Sequence, residues 1–435
     1  MENKDILLII IVIFLNDNIR LGAKNGFLKF FENLPAIFVF VVVNFIKLPW
    51  LIKGLYDSIK DYFTSPVFQK RAQKFKQLRR GYISLLIIVW GYGLSFFLPL
   101  FVNNKAWMVE FEGKTYYPIV YELPKILPGY DMGQSIPILK DLIKLFPKRV
   151  YYNNQFGLEG ETPVNFRKLQ NKFIRDGGKN KVTMPFYPYN ATESTMDEYK
   201  DESPPTAPDS IHYFGTDDRG RDVFARLFYG FNISMSFALL VTFFSYFIGV
   251  SIGGYLGYFG GFFDIVVQRF VEIWSAIPFL YAIMIVASIL EPSMLLLVFL
   301  LSAFQWMGMT YYIRGEFLRE KSKDYVSAAV SIGVKDTVII FRHILPNALT
   351  PVISFLPFAI VGNISALVSL DFLGFGLPAP TPSWGELMGQ ATSHLNDPWL
   401  VFAPIGALFV TLMLVSFIGE AVREAFDPKQ YSRLR

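Results

Sequence analysis

The chain has 435 residues, of which 52% are hydrophobic, 17% aromatic and only 18% charged. Soluble domains usually carry about 25% charged residues, so this composition predicts a membrane protein. The net charge of +5 comes from basic residues that fall in short loops, which disfavours a nucleic-acid-binding protein. There is no cysteine, which excludes disulfides, zinc-thiolate sites and cysteine nucleophiles.

The first predicted segment is a hydrophobic and basic N-terminal extension, residues 1–80. Its run ILLIIIVIFL is too short to cross a membrane comfortably, and LPAIFVFVVVNFIKLPWLI is interrupted by Asn44, Lys47 and Pro49. Interfacial or hairpin helices are therefore favoured for residues 1–65 over one further span. No small-residue cleavage pattern follows the first run, which disfavours a signal peptide.

Six later stretches are each apolar over roughly the 20 residues that a helix needs to cross a bilayer. They are residues 82–102, 231–258, 268–290, 294–313, 349–373 and 398–419. The sequence therefore predicts an all-α polytopic membrane protein with a six-span core. Its expected segments are a first core span (81–103), an insertion (104–229), a five-span part (230–421) and a tail (422–435).

The orientation of the spans follows from the positions of Lys and Arg. These residues are concentrated just before the first core span, in the loop 315–348 and in the tail, whereas the loop between the fifth and sixth spans has none. Because cytoplasmic loops carry the excess of Lys and Arg, the loop 315–348 and the C-terminus are predicted to be cytoplasmic. The long insertion 104–229 is then extracytoplasmic.

Several chemistries have no motif in this chain. It contains no G-x-x-x-x-G-K-[ST], no G-x-G-x-x-G and no H-E-x-x-H, and its only histidines, His212, His343 and His394, fall in different loops. We therefore expect no catalytic residues, no metal site and no cofactor bound by this chain. The energy for uphill transport would come from an ion gradient or from another subunit.

An ion-coupled carrier would place ionisable residues within its spans. The candidate intramembrane polar sites are Glu272, Asp371 and Glu420, all near predicted span ends. Arg269 lies one helical turn before Glu272 and is spaced to pair with it. An interfacial or paired role is favoured for these carboxylates, while an ion site remains the alternative.

The cytoplasmic loop 315–348 contains the stretch DYVSAAVSIGVKDTVIIFRHILP. Small side chains at consecutive positions let another backbone approach closely, and a glycine after them suits a helix end. An aspartate is expected to cap a second short helix, and a proline to stop it before the next span. This predicts a stiff helical elbow built on Ser327, Ala328, Ala329, Gly333, Asp336, His343 and Pro346.

The elbow resembles the EAA loop of ABC-transporter permeases, in its A-A-x-x-x-G spacing followed by H-x-L-P. FGTDDRGRDVFARLFYGFNIS (214–234), LDFLGFGLP (370–378), PTPSWGELM (380–388) and GEAVREAFDPK (419–429) resemble the C-type subunits of the dipeptide, oligopeptide and nickel branch. VNNKAWMVEFEGKTYYPIV (102–120) and the long insertion are similar to the microcin C and oligopeptide-type permease. One departure is Ser327, where the family often has glutamate.

The resemblance implies a type I ABC-importer permease in the bacterial inner membrane, forming half of a translocation pathway. A second permease subunit, two P-loop ATPase subunits that bind ATP and an extracytoplasmic solute-binding protein are its implied partners, with the elbow docking on an ATPase. The implied cargo is an oligopeptide or peptide-like compound. The alternatives are the same machine with nickel or another small solute, and a stand-alone secondary transporter.

The acidic and basic run before the second core span has two interpretations. Its side chains either form a self-paired polar turn that caps the next helix, or they contact the binding protein or the partner permease. The residues concerned are Asp217, Asp218, Arg219, Arg221 and Asp222.

Overall fold

A computed structural model of the chain describes residues 64–120, 156, 164–198 and 203–426. The chain divides into two units, Met1–Ser65 and Pro66–Arg435. The expected hairpin or interfacial helices of residues 1–65 lie outside the described residues, as does most of the C-terminal tail. The architecture below is that of the second unit.

The second unit is mostly helical. Its helices are α1 (Pro66–Gln77), α2 (Arg79–Ser95), α3 (Leu98–Phe101), α4 (Phe166–Arg175), α5 (Val223–Phe259), α6 (Gly261–Ser275), α7 (Phe279–Ile289), α8 (Met294–Lys321), α9 (Asp324–Ser331), α10 (Asp336–Val338), α11 (Leu345–Phe372), α12 (Trp384–Ser393) and α13 (Pro398–Phe426). A π-helical turn, Ile339–Ile344, joins α10 to α11.

Within the described residues, four helical segments are long and apolar enough to cross a membrane: α5, α8, the continuous Asp336–Phe372 and α13. The pair α6–α7 makes a fifth if its two arms, bent by 71°, form one broken span. The first expected span corresponds to α2, which has 17 residues. The described part of the chain is thus a helical membrane protein with four to five candidate spans.

The insertion also contains a small β-sheet, so the expectation of an all-α protein is wrong in this region. Three short strands, β1 (Met108–Phe111), β2 (Lys114–Tyr116) and β3 (Lys181–Thr183), form an antiparallel sheet in the order β2-β1-β3. Phe166, Leu169 and Phe173 of α4 pack on Val109 of the sheet in one apolar core. Strands of three or four residues offer too little alternation to be read from sequence.

Helix α5, which has 37 residues, packs against α8 through a face of glycines. A Cβ at Gly253 would lie 2.5 Å from the Thr310 carbonyl oxygen, and one at Gly257 would lie 2.5 Å from the Phe317 Cβ. The two backbones therefore touch directly, as small residues allow between membrane helices. This contact makes α5 and α8 a closely packed pair.

A second apolar core joins α2, α5, α11, α12 and α13. It includes Trp384, a large and fully buried side chain that is 1% exposed. The indole Nε1 of Trp384 donates to the Leu227 carbonyl oxygen at 3.0 Å, which satisfies its polar end. The short helix α12 is thereby fixed against the start of α5.

Candidate functional site

The first half of the elbow ends as predicted at Gly333. The glycine has φ +77°, in the left-handed region that costs no Cβ clash. Its N–H donates to the Val330 carbonyl at 3.0 Å, and the Val334 N–H donates to the Ala329 carbonyl at 3.0 Å. These are the two bonds of a Schellman motif, which satisfies carbonyls at the end of α9 and turns the chain sharply.

The small residues of α9 divide between two faces. Ala329 is 7% exposed and packs inward, whereas Ser327 and Ala328 are exposed. Beside them Val330 and Ile332 are 56% and 80% exposed. The elbow thus presents a small, mostly apolar surface outward, a composition that suits contact with another protein.

Two expectations about the second half of the elbow are wrong. The N-cap of α10 is Lys335 and not Asp336, and no side chain caps this helix. Pro346 does not stop a helix either, because it lies in the first turn of α11. A proline breaks the i→i−4 bonding of a regular helix, but in the π turn before it the Leu345 N–H already bonds to the Ile340 carbonyl oxygen, five positions back. The helix therefore continues from the π turn into α11.

The first half of the elbow is held to α8 and to the π turn by polar contacts. The Tyr325 hydroxyl donates to Glu320 Oε2 at 2.9 Å and lies 3.3 Å from the His343 carbonyl oxygen. Lys323 Nζ donates to Glu320 Oε1 at 2.7 Å. Glu320 is buried at the end of α8, so these contacts tie α9 to a fixed point. The part of His343 that the structure brings into this contact is its backbone carbonyl.

The polar run before α5 forms the self-paired turn that the first interpretation describes. Asp217 Oδ1 accepts from the backbone N–H groups of Arg219 (3.0 Å) and Arg221 (2.8 Å), and Asp222 Oδ1 caps α5 by accepting from the Ala225 N–H at 2.7 Å. Asp217, Arg221 and Asp222 are each no more than 3% exposed. Their side chains therefore lie inside this chain, while those of Asp218 and Arg219 are 33% and 55% exposed.

Asp222 also organises a buried cluster in the insertion. Its Oδ2 lies 2.6 Å from the Tyr187 hydroxyl and 2.6 Å from His212 Nδ1. Burial and then the charge of Asp222 raise the pKa of the Tyr187 hydroxyl above its usual value, so the hydroxyl stays protonated and donates. This cluster could not be predicted from local sequence, since Tyr187 is 35 positions from Asp222.

Glu386 of α12 completes the charge balance of the turn. Its Oε1 accepts from Arg221 Nη2 at 2.9 Å and its Oε2 from Arg226 Nη2 at 2.5 Å. Burial acts to raise the pKa of Glu386, but the Arg226 and Arg221 guanidinium groups outweigh it and hold the pKa below its usual value. The residue lies within the PTPSWGELM motif, yet its partners are 160 and 165 positions away.

Comparison with known proteins assigns this architecture to a family. Residues 249–430 match the family described as the binding-protein-dependent transport system inner membrane component. The chain is 38% identical to the inner membrane ABC transporter permease protein YejE of Escherichia coli, over 84% of this chain and 98% of that protein. It is 35% identical to the peptidoglycan transport system permease protein YejE of Agrobacterium fabrum, over 85% and 95%. The chain belongs to the family of binding-protein-dependent transport system inner membrane components.

A third relative is similar over about half of this chain. The oligopeptide transport system permease protein OppC of Haemophilus influenzae is 35% identical over 51% of this chain and 71% of that protein. As an inner-membrane permease of the family, the chain is a transport subunit and not an ATPase. Membership of a binding-protein-dependent system implies ATPase and binding-protein partners, so a stand-alone secondary transporter is set aside.

The carboxylates considered as ion sites sit at the ends of the permease helices. Glu272 accepts from Arg269 Nη1 at 2.6 Å, the pair expected from their spacing. Asp371 accepts from the Ser383 hydroxyl and from the Leu377 N–H, at 2.5 and 2.7 Å. Glu420 is exposed. In the described part of the chain, no group of three or more metal-ligating side chains comes together.

A further ion pair between helices, which the sequence did not predict, joins α6 and α8. Arg314 of α8 makes two bonds to Asp264 of α6, from Nε at 2.7 Å and Nη2 at 2.6 Å. Gln268 donates to the same carboxylate at 2.9 Å. Because a bidentate bond fixes the angle of both side chains, it sets the packing of α6 on α8.

Proposed function

We propose that this permease forms half of the translocation pathway of an ABC importer and is driven by ATPase subunits that bind the elbow. The supporting observation is similarity over nearly the whole length of two YejE permeases, including the insertion. The elbow adds the exposed surface that such docking needs. A second permease completes the pathway, and two P-loop ATPases and an extracytoplasmic solute-binding protein complete the machine.

Each elbow residue has a distinct part in this proposal. Ser327 and Ala328 face outward and are the docking surface. Ala329 packs inward, and Gly333 sets the turn that holds α9 at its angle. Asp336, His343 and Pro346 belong to the stretch through which the elbow continues into the span Asp336–Phe372. A push on α9 would therefore reach that span through the turn at Gly333.

We infer a six-span core with the elbow and the C-terminus in the cytoplasm. The four long helices and the bent pair α6–α7 account for five spans. The sixth is α2, whose 17 residues are followed closely by α3. The basic residues before α2, in the loop 315–348 and in the tail favour this orientation by the positive-inside rule.

For the cargo we propose peptides or peptide-like compounds, in the manner of the microcin C and oligopeptide-type permeases. The matched relatives are named for transport of peptidoglycan and of oligopeptides. Nickel or another small solute is the alternative cargo. Uptake of labelled peptides, compared with uptake of ⁶³Ni²⁺, by cells with and without this gene separates the two.

The turn before α5 leaves two side chains for contact with the binding protein or the partner permease. Asp218 and Arg219 are partly exposed, so we propose these two as the contact residues of the run. Asp217, Arg221 and Asp222 act instead by holding the turn in place.

The decisive experiment is purification of the permease from its native membrane in mild detergent, followed by mass spectrometry of its companions. Gly333→Val and Gly333→Asn are the matched variants, because no atom lies within 4 Å of a Cβ at this position and both side chains have room. Asn tolerates positive φ and Val does not. A P-loop ATPase should accompany the wild type and Gly333→Asn and be depleted at least tenfold with Gly333→Val. Recovery of the wild type without any ATPase would contradict the proposal.

A further inference from the structure

The first half of the elbow, α9 with the turn at Gly333, lies between two residues that contact the same tyrosine. Lys321, the last residue of α8, donates from Nζ to the Tyr258 carbonyl oxygen at 2.5 Å. Asp336, the first residue of α10, accepts at Oδ1 from the Tyr258 hydroxyl at 2.6 Å. Tyr258 belongs to α5 and is 78 positions from Asp336. The chain therefore contacts Tyr258 both before and after the first half of the elbow.

The Tyr258 side chain is well placed to hold these contacts. It is 6% exposed, and Lys321 Nζ also lies 5.3 Å from its ring centroid, a cation–π arrangement. The hydroxyl bond is directed at a carboxylate, and such charge-assisted bonds are shorter and stronger than neutral ones. Asp336 itself is exposed, so few other contacts hold its side chain.

Tyr258 lies at the end of α5 that packs tightly on α8. Gly254 and Gly257, at the same end of α5, place their backbone directly against the Phe317 side chain of α8. Any displacement of Tyr258 is therefore a displacement of the α5–α8 pair. The other partner of the hydroxyl bond, Asp336, begins a continuous helix to Phe372.

We propose that Tyr258 is a positioning residue for coupling: its bond to Asp336 transmits movement of the elbow to the α5–α8 pair. The inference rests on the proposed role of the elbow as the ATPase-docking site. When an ATPase displaces α9, Tyr258 carries the displacement into α5 and α8, and the span Asp336–Phe372 moves with them. Without the hydroxyl, the elbow still docks, but its second half, which begins at Asp336, loses this attachment to α5.

The test uses the cysteine-free chain, which lets spin labels be placed at two introduced cysteines. Leu295→Cys and Phe402→Cys lie at exposed positions near the starts of α8 and α13. Double electron–electron resonance gives the distance distribution between the two spin labels in the purified complex, without nucleotide and with ATP plus vanadate. The nucleotide-dependent shift of the wild type is the reference.

Tyr258→Phe removes only the hydroxyl and should at least halve this shift while the ATPase still co-purifies. Tyr255→Phe is the matched control, since Tyr255 is 47% exposed one turn away on the same helix, and it should behave as wild type. Asp336→Asn keeps an acceptor and should stay near wild type, whereas Asp336→Leu should resemble Tyr258→Phe, with no further loss in the double variant. A full shift in Tyr258→Phe overturns the inference. Loss of the ATPase from the wild-type complex points instead to failure of the docking proposal.

Discussion

The indole of Trp384 lies directly on the backbone of Gly230. A Cβ at Gly230 would come within 2.9 Å of the Trp384 Cδ1 and Nε1 atoms. The same indole donates to Leu227 one turn earlier, so the contact fixes α12 to α5 at the end of α5 remote from the elbow. The end of α5 remote from the elbow is thus held by a close packing contact and by the charge network beside it.

Gly230→Ala should destabilise the permease by about 1–3 kcal/mol, because an added methyl group in a filled site forces side chains or backbone to shift. The measurement is the thermal midpoint of the purified complex in detergent. Gly362→Ala is the control: no atom lies within 4 Å of its Cβ, and alanine is favoured over glycine inside a helix by roughly 0.5–1 kcal/mol. An equal loss in both variants would contradict the packing account.

Removing the charge of Glu386 should change stability in a pH-dependent way. Burial acts to raise the pKa of Glu386, but the charges of Arg226 and Arg221 lower it by more than burial raises it. The folded state therefore favours the carboxylate. That stabilisation is complete above the ordinary glutamate pKa of about 4.3 and is lost as pH falls through the lower folded-state pKa. Glu386→Gln should therefore lower stability at pH 7 by about 1–3 kcal/mol, and the difference should shrink below about pH 4. Thermal midpoints across pH check this, and a constant difference would refute it.

Replacing Asp222, the N-cap of α5, should show whether the polar run acts by stabilising the fold or by contacting a partner protein. Asp222→Ala removes the acceptor for the Ala225 N–H, Tyr187 and His212, and should cost at least the roughly 0.5–2 kcal/mol of a cap. Asp222→Asn keeps a capping oxygen and should cost less. The readouts are thermal midpoint, yield of assembled complex and transport, each measured separately.

Arg219→Ala should leave the thermal midpoint unchanged, because its side chain is 55% exposed. If Arg219 is a partner contact, transport or assembly falls without loss of stability.

The result for Asp222 is judged separately. An Asp222→Ala permease as stable as the wild type would contradict the self-paired turn.

The features that sequence could predict were those encoded in nearby residues. Gly333 marks a helix end because the conformation needed there belongs to glycine itself, and the Arg269–Glu272 pair follows from helical spacing. Asp222 was predicted to lie in a capping turn for the same reason. Local chemistry decides each of these outcomes.

The features that sequence missed depend on contacts between distant segments. Glu386 meets Arg226 across 160 positions, and Tyr258 meets Asp336 across 78. Local sequence therefore predicts a capping role for Asp336, whereas a distant hydroxyl binds it. Local sequence also predicts a helix stop at Pro346, whereas the π turn before it continues into α11.

Labelling of introduced cysteines should establish the orientation. The natural chain has no cysteine, so Ala328→Cys in the elbow and Leu395→Cys in the α12–α13 loop each give one reactive position. Both positions are exposed. A membrane-impermeant maleimide added to spheroplasts should label Leu395→Cys at once and Ala328→Cys only after permeabilisation. The reverse pattern would invert the proposed orientation.

The most direct test of the central claim is cross-linking from the elbow. Ala328→Cys, derivatised in native membranes with a short photoactivatable cross-linker, should yield an adduct of this chain with a P-loop ATPase, identified by mass spectrometry. Leu395→Cys serves as the control and should give no such adduct. A functional transporter whose Ala328→Cys permease never cross-links to an ATPase would contradict the assignment of the elbow as the coupling site.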